Sequence, residues 1–217
     1  MYPMRAILFT FAWLALGWMP GRAEIWCTGY YPGWAQGSMP ASNIDFSVVT
    51  HVSHFSVIPN ADGTLNTTGN GITPAYTADV VARTHAAKRQ VLICVGGAGT
   101  SFISATSNHL ATLVLNLTNF MAVNNYDGID VDWEPLNAGD KTLFTNFVTH
   151  LRSALNGFSS HKLMTTALPT DVSPSTLAAV QSQFDQINLM TYDLSGPWGG
   201  WVTWYNAPIY SGGTHFP

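Results

Sequence analysis

Charged side chains are scarce in this chain. Asp, Glu, Lys and Arg make up 9% of its 217 residues, against roughly 25% in an average soluble domain. There is no basic cluster either: 8 Lys and Arg face 12 Asp and Glu, for a formal net charge of -4. Nucleic acid is held by grouped Lys and Arg, so it is excluded as the main partner. The polar surface must come instead from Ser, Thr, Asn and Gln. Cysteine is nearly missing, at 2 residues, which rules out a disulfide-rich scaffold and paired Cys-x-x-Cys zinc ligation. The 7 histidines form no His-x-x-x-His pair, and solitary histidines are more often structural than metal-binding. Internal repeats, heptad seams and blocks of like charge are also lacking. What the chain does have is apolar mass: 47% of residues are hydrophobic, enough for a sizeable core and against disorder. One domain is expected.

The N-terminus stands apart. Arg5 supplies a positive start, 6–18 is an apolar run, and Pro20 breaks it before small residues Gly21 and Ala23. This reads as a secretory signal peptide over 1–23, with a cut before Glu24, and predicts an extracellular protein. The run falls short of the ~20 residues needed to cross a bilayer, and no other stretch approaches that length, so no membrane association is expected after signal removal.

Beyond it, short runs rich in Val, Ile and aromatics alternate with stretches of helical period. Strands are predicted at 26–31, 51–57, 90–95, 128–132, 163–167 and 186–191, and helices at 75–87, 110–123, 141–155 and 175–183. Leu143, Phe144, Phe147, Val148 and Leu151 mark one apolar helix face. Such alternation implies an α/β fold with a parallel sheet under helices. A (β/α)8 barrel and an open doubly wound sheet satisfy it equally. The turn Gly96-Gly97-Ala98-Gly99 follows a strand but lacks the spacing of a nucleotide-binding loop. It reads as a tight strand-end turn where the backbone approaches something closely.

The informative segment is Asp127-Gly128-Ile129-Asp130-Val131-Asp132-Trp133-Glu134-Pro135. On a strand, alternation sends Asp130, Asp132 and Glu134 to one face and Ile129, Val131 and Trp133 to the other. The odd positions are bulky and apolar and belong against helices, so the acids point inward. Glu134 falls at the carboxyl end of the strand, where α/β enzymes build their sites. Like charges this close cannot all ionise easily, so at least one carboxyl should hold its proton unusually high, as a general acid must. A solvated acidic edge fits the apolar intervening residues poorly. A calcium loop needs its glycine inside the acidic turn, not before it.

This run resembles the signature of glycoside hydrolase family 18, the chitinase family. Gly29-Tyr30-Tyr31-Pro32-Gly33-Trp34 resembles its first strand and loop, Val91 to Gly97 its third-strand Ser-x-Gly-Gly motif, Asn188 to Asp193 its Met-x-Tyr-Asp motif, and Asn206-Ala207-Pro208 the segment that follows. The resemblance spans nearly the whole mature chain and implies a TIM barrel. It also implies a retaining hydrolase in which the substrate's own acetamide is the nucleophile, with no metal or cofactor. Carried over by position, Glu134 would protonate the glycosidic oxygen, Asp132 would orient the acetamide, and Asp130 would share a proton behind it. Tyr192 and Asp193 would hold the acetamide and the water. Tyr30, Gly96, Gly97, Met190 and Trp198 would line the sugar site. The partner would be chitin or an oligosaccharide containing N-acetylglucosamine, met by a monomer.

One departure is visible. Cys94 stands where the family has Ser, a residue that would hydrogen-bond Asp130 together with Tyr30, and a thiol is a weaker donor. Strict alternation turns Cys27 away from Cys94, on strands too far apart to be bridged, so two free buried thiols are expected. Tyr31, Trp34, Trp198, Trp201 and Trp204 are candidate sugar platforms, whereas Trp26 and Trp133 should pack against helices. Asn66-Thr67-Thr68 and Asn116-Leu117-Thr118 are glycosylation sequons.

Length adds a further expectation. A complete barrel takes ~250 residues, and the strands stop after six, so about the first six β/α units of a barrel domain over 24–217 are expected. Such an arc exposes two parallel edges and should express poorly when made alone. Rivals to the chitinase reading are an endo-β-N-acetylglucosaminidase acting on N-glycans and a chitin-binding lectin on the same fold. Lectins of this type usually lose one of the acids, and all are retained here.

Overall fold

The computed structural model describes residues 25–100, 102–196 and 205–209. In chain order the main elements are β1 (Thr28–Pro32), β2 (His51–Pro59), β3 (Leu65–Asn66), α1 (Pro74–Ala86), β4 (Gln90–Ala98), α2 (Ile103–Asn108), α3 (Leu110–Val123), β5 (Gly128–Glu134), α4 (Lys141–Leu155), β6 (Leu163–Pro169), α5 (Pro174–Val180) and β7 (Gln186–Met190). All six predicted strands and four predicted helices are present, α3 and α4 with the predicted ends and the others shifted. The six-residue α2 was missed because Ile-Ser-Ala-Thr-Ser-Asn is too short and too polar to show an apolar period. Side-chain caps start two helices: Thr73 Oγ1 accepts from Tyr76 N at 3.3 Å before α1, and Ser173 Oγ from Thr176 N at 3.1 Å before α5.

The strands pair in the order β1-β2-β4-β5-β6-β7, all parallel, with the two-residue β3 antiparallel to β2. Laid flat, five gaps of about 4.8 Å would hold the outer strands roughly 24 Å apart. Instead Thr28 Oγ1 on β1 donates to Gln186 Oε1 on β7 at 3.0 Å, and Asn188 Nδ2 donates to Tyr30 Oη at 3.2 Å. The sheet is therefore strongly curled, and the fold is an incomplete (β/α)8 barrel. An open doubly wound sheet is excluded.

Alternation sorts each strand between two environments. Val52, Ile93, Val95, Ile129, Val131, Trp133 and Met164 turn outward and form the apolar core with α1 to α5. In α4, Phe144, Phe147, Val148 and Leu151 are all buried. The inward face is polar, carrying Ser53, Asp130, Asp132 and Thr165. His54 breaks the outward apolar pattern: wholly buried, it meets Tyr126 Oη at 2.7 Å and Gln36, and burial pushes its pKa down to about 4.

Three sequence expectations need correction. Tyr31 is not a platform: it shares the outward face, is 3% exposed, and donates to Met39 O at 2.6 Å. Trp26 does not pack on helices; it precedes β1 and its ring stacks on His51 at 3.9 Å. Both thiols are free, but Cys27 is only half-buried while Cys94 is buried. The segment 1–24, with the predicted signal peptide, lies outside the described residues, as do Trp198, Trp201 and Trp204.

Candidate active site

Strand β5 is held in place by its lower end and its outer face. Asp127 Oδ2 accepts from Val91 N at 2.8 Å and contacts His85 Nε2 at 2.9 Å. Outward, the Trp133 ring stacks on Phe102 at 4.6 Å and meets Phe144 edge-on at 5.9 Å. With that face fixed, the acids must point into the barrel, and they climb towards its open end. Asp130 is fully buried, Asp132 is 4% exposed, and Glu134 is half-buried at the top.

The Gly-rich segment is the last part of β4 rather than a turn after it, and its close approach is to β5. In register, Cys94, Gly96 and Ala98 face Asp130, Asp132 and Glu134. Gly96 has φ +116°, and a Cβ there would lie 1.9 Å from the Asp132 carbonyl oxygen. Only glycine lets the two strands meet beneath the acids.

Each carboxyl has a distinct environment. Asp130 accepts from Ser53 Oγ at 3.0 Å and from Thr165 Oγ1, and Tyr30 and Cys94 lie beside it. Burial pushes its pKa up, and these four neighbours oppose the shift. Asp132 has no such support. Its Oδ1 is buried with no hydrogen-bond partner among the described residues. Burial first, then the charges of Asp130 and Glu134, push it up to about 7. At least one raised carboxyl was expected from the sequence, and both Asp130 and Asp132 are raised. Tyr30 is 38% exposed, but its hydroxyl end lies by Asp130 and Asn188, where desolvation and the Asp130 charge keep it protonated.

A cavity of about 500 Å³ opens above the row, lined by Asp132, Glu134, Gly96, Gly97, Met190, Tyr192 and Asp193 among others. Tyr30, Trp34 and Phe55 form one aromatic wall, with Trp34 edge-on to Phe55 at 5.7 Å and itself 62% exposed. Asp193, at φ +54°, accepts from Asn206 Nδ2 at 2.8 Å, which ties the last motif to the segment after it. Apart from Tyr31, the structure brings together every sequence-predicted site residue that it describes, with Asp130 beneath the cavity floor. Sequence reasoning missed Ser53, Phe55 and Thr165. For Ser53 and Thr165 the available signal was strand parity, since each alternates with an outward apolar or helix-facing neighbour.

The profile of the glycosyl hydrolases family 18 matches residues 27–217. The chain belongs to this family. Its family 18 relatives include Chitinase 1 of Aphanocladium album, 27% identical over 217 residues covering 84% of this chain and 51% of that protein. A chitinase-like effector of Moniliophthora roreri is 26% identical over 196 residues, covering 83% of this chain and 48% of that protein. Among solved structures, the group IV chitinase of Ostrinia furnacalis in complex with allosamidin superimposes with a TM-score of 0.76 at 22% identity, over 85% of this chain and 55% of that one. The chain thus spans about half the length of these relatives.

The raised Asp132 carboxyl has a consequence for stability. An unfolded Asp ionises near 3.8, whereas the folded one keeps its proton to about 7. The fold therefore binds the extra proton between those values, and stability falls as pH rises through that window. Asp132→Asn should remove this loss, being most stabilising above pH 7, by up to about 4 kcal/mol for a three-unit shift. Urea unfolding of both proteins across the window checks it. Parallel pH curves would mean that Asp132 is already ionised in the fold at mildly acid pH.

Proposed function

We propose that this site hydrolyses β-1,4 linkages next to N-acetylglucosamine by retaining, substrate-assisted catalysis, as a chitinase-type glycosidase. The observation that carries this reading is Asp132 Oδ1, without a partner among the described residues and two positions before Glu134 on β5. A buried acceptor without a donor is costly, and the acetamide N–H of a bound sugar is a donor that fits it.

Glu134, at the cavity edge, gives its proton to the glycosidic oxygen as the bond to the anomeric carbon breaks. The acetamide carbonyl oxygen forms the new bond to that carbon, giving an oxazolinium ion. As the nitrogen gains positive charge, its N–H bond to Asp132 strengthens, so the interaction favours the transition state over the ground state. Water then attacks the same carbon from the vacated side, and the bond from that carbon to the acetamide oxygen breaks, which restores the N-acetyl group. Glu134 takes the water's proton, and configuration is retained. Tyr192 and Asp193, both on the cavity wall, hold the acetamide and the water, and Trp34 offers an exposed face to a further ring. That pre-positioning makes the neighbouring group a near-attack one. The mature protein, after loss of 1–23, works outside the cell on polymeric or oligomeric chitin. Among the described residues, no helix is long and apolar enough to cross a membrane.

The test is paired oligomers of acetylated and deacetylated glucosamine. Hydrolysis is expected only where the sugar on the non-reducing side of the cut bears an acetyl group. Equal cleavage of both would sink the mechanism. Binding without any cleavage would favour the lectin reading, and cleavage of N-glycan cores alone the glycan-processing one.

A further inference from the structure

Asp130 is surrounded from four strands, by Tyr30 on β1, Ser53 on β2, Cys94 on β4 and Thr165 on β6, and hydrogen-bonded from two of them, β2 and β6. The two aliphatic hydroxyls divide its oxygens. Ser53 Oγ donates to Oδ2 at 3.0 Å, and Thr165 Oγ1 donates to Oδ1. Ser53 is 1% exposed and Thr165 2%, so neither hydroxyl has solvent as an alternative. Cys94 stands directly opposite Asp130 in the β4–β5 register, the nearest place from which a donor could come. Yet a thiol is a weak donor. Ser53 sits one strand further away, contacts Cys94, and reaches Asp130 across the curled interior. The titratable groups that face Asp130 are Tyr30, Cys94 and, on its own strand, Asp132; Tyr192 senses its charge from beyond β7.

We propose that Ser53 is a positioning residue for the acidic row. From β2 it supplies the strong hydroxyl donor that the thiol at 94 does not, and so favours the carboxylate form of Asp130 and holds that carboxyl in place beneath Asp132 and Glu134. A hydroxyl bonded to a buried carboxylate lowers that carboxyl's titration by about one to two pH units. Without Ser53, Asp130 would take up a proton more readily, and its carboxyl would lose that hold beneath Asp132. The consequence for turnover rests on the proposed function; the effect on Asp130 does not.

Four versions of the full chain decide the matter: the parent, Ser53→Ala, Cys94→Ser and the double variant. Carbon-13 carboxyl shifts of Asp130 and Asp132 are followed against pH, alongside kcat and KM on an N-acetylated chitooligosaccharide. Ser53→Ala should raise the Asp130 titration by about one unit and lower kcat roughly tenfold, with KM within about twofold. The double variant should return both, because Cys94→Ser moves the hydroxyl to the facing strand. An unmoved Asp130 titration in Ser53→Ala overturns the assignment. So does a shift that the double variant fails to reverse, or a lower melting temperature with unchanged titrations, which is what a purely structural serine would give. A parent that cleaves no acetylated oligosaccharide would defeat the proposed function, while the titrations still decide the role of Ser53.

Discussion

Glu134→Gln is expected to lower turnover on acetylated chitooligosaccharides by about a thousandfold, within the range typical of a lost general acid, while binding stays within about twofold. The amide keeps the size and hydrogen-bonding reach of the carboxyl but has no proton to give at the moment the glycosidic bond breaks. Glu134 is half-buried at the mouth of the cavity, so the substitution leaves the core untouched and stability should change little. Because Asp132 and the aromatic wall of Tyr30, Trp34 and Phe55 remain, the sugar keeps its contacts. Initial rates give the first quantity and calorimetric titration the second. Comparable rates for mutant and parent would remove Glu134 from the chemistry, and lost binding would recast it as a substrate anchor.

The largest effect on stability is expected at the next residue inward in sequence and on the opposite face. Trp133 is 2% exposed, stacked on Phe102 and edge-on to Phe144, with Phe147 at 6.4 Å. Trp133→Ala should cost about 3–5 kcal/mol, because the surrounding rings cannot all collapse into the space left. That is a large part of the ~5–15 kcal/mol that holds a typical domain. The same rings set the outward face of β5, so a variant that still folds should also lose activity through misplacement of Glu134. Denaturant unfolding measures the first effect. A loss below about 1 kcal/mol would mean that the aromatic cluster is not what seats the strand.

Much of the site was legible because it is local. The acids of β5 occupy every second position, and on any strand that places them on one face whatever surrounds it. The apolar residues between them decide which face is inward, since Ile129, Val131 and Trp133 must be buried against helices. Helical period read the apolar face of α4 in the same way. The family resemblance put Tyr30 in the sugar site; alternation then places Tyr31 outward, and naming that residue as a platform ignored its own parity. Trp26 was misplaced for a different reason: it lies before the strand begins, where no alternation governs it.

The donors to Asp130 were not legible. Ser53 is 77 positions away along the chain and Thr165 is 35, and nothing in either local sequence says that they meet. Nor does the sequence say which carboxyl keeps its proton, since that depends on how donors are shared out among three acids.

By itself, the amino-acid sequence determined the strand and helix alternation and the inward row of carboxylates, and its motifs carried the resemblance to family 18. The alternation and the inward row follow from spacing along the chain, which covalent geometry converts directly into direction in space. Only the tertiary structure decided that the sheet curls until β1 and β7 exchange side-chain hydrogen bonds. It alone gave Asp130 the hydroxyls of Ser53 and Thr165 and left Asp132 Oδ1 without a partner among the described residues. Curvature and strand register are properties of the whole sheet, and no stretch of local sequence contains them.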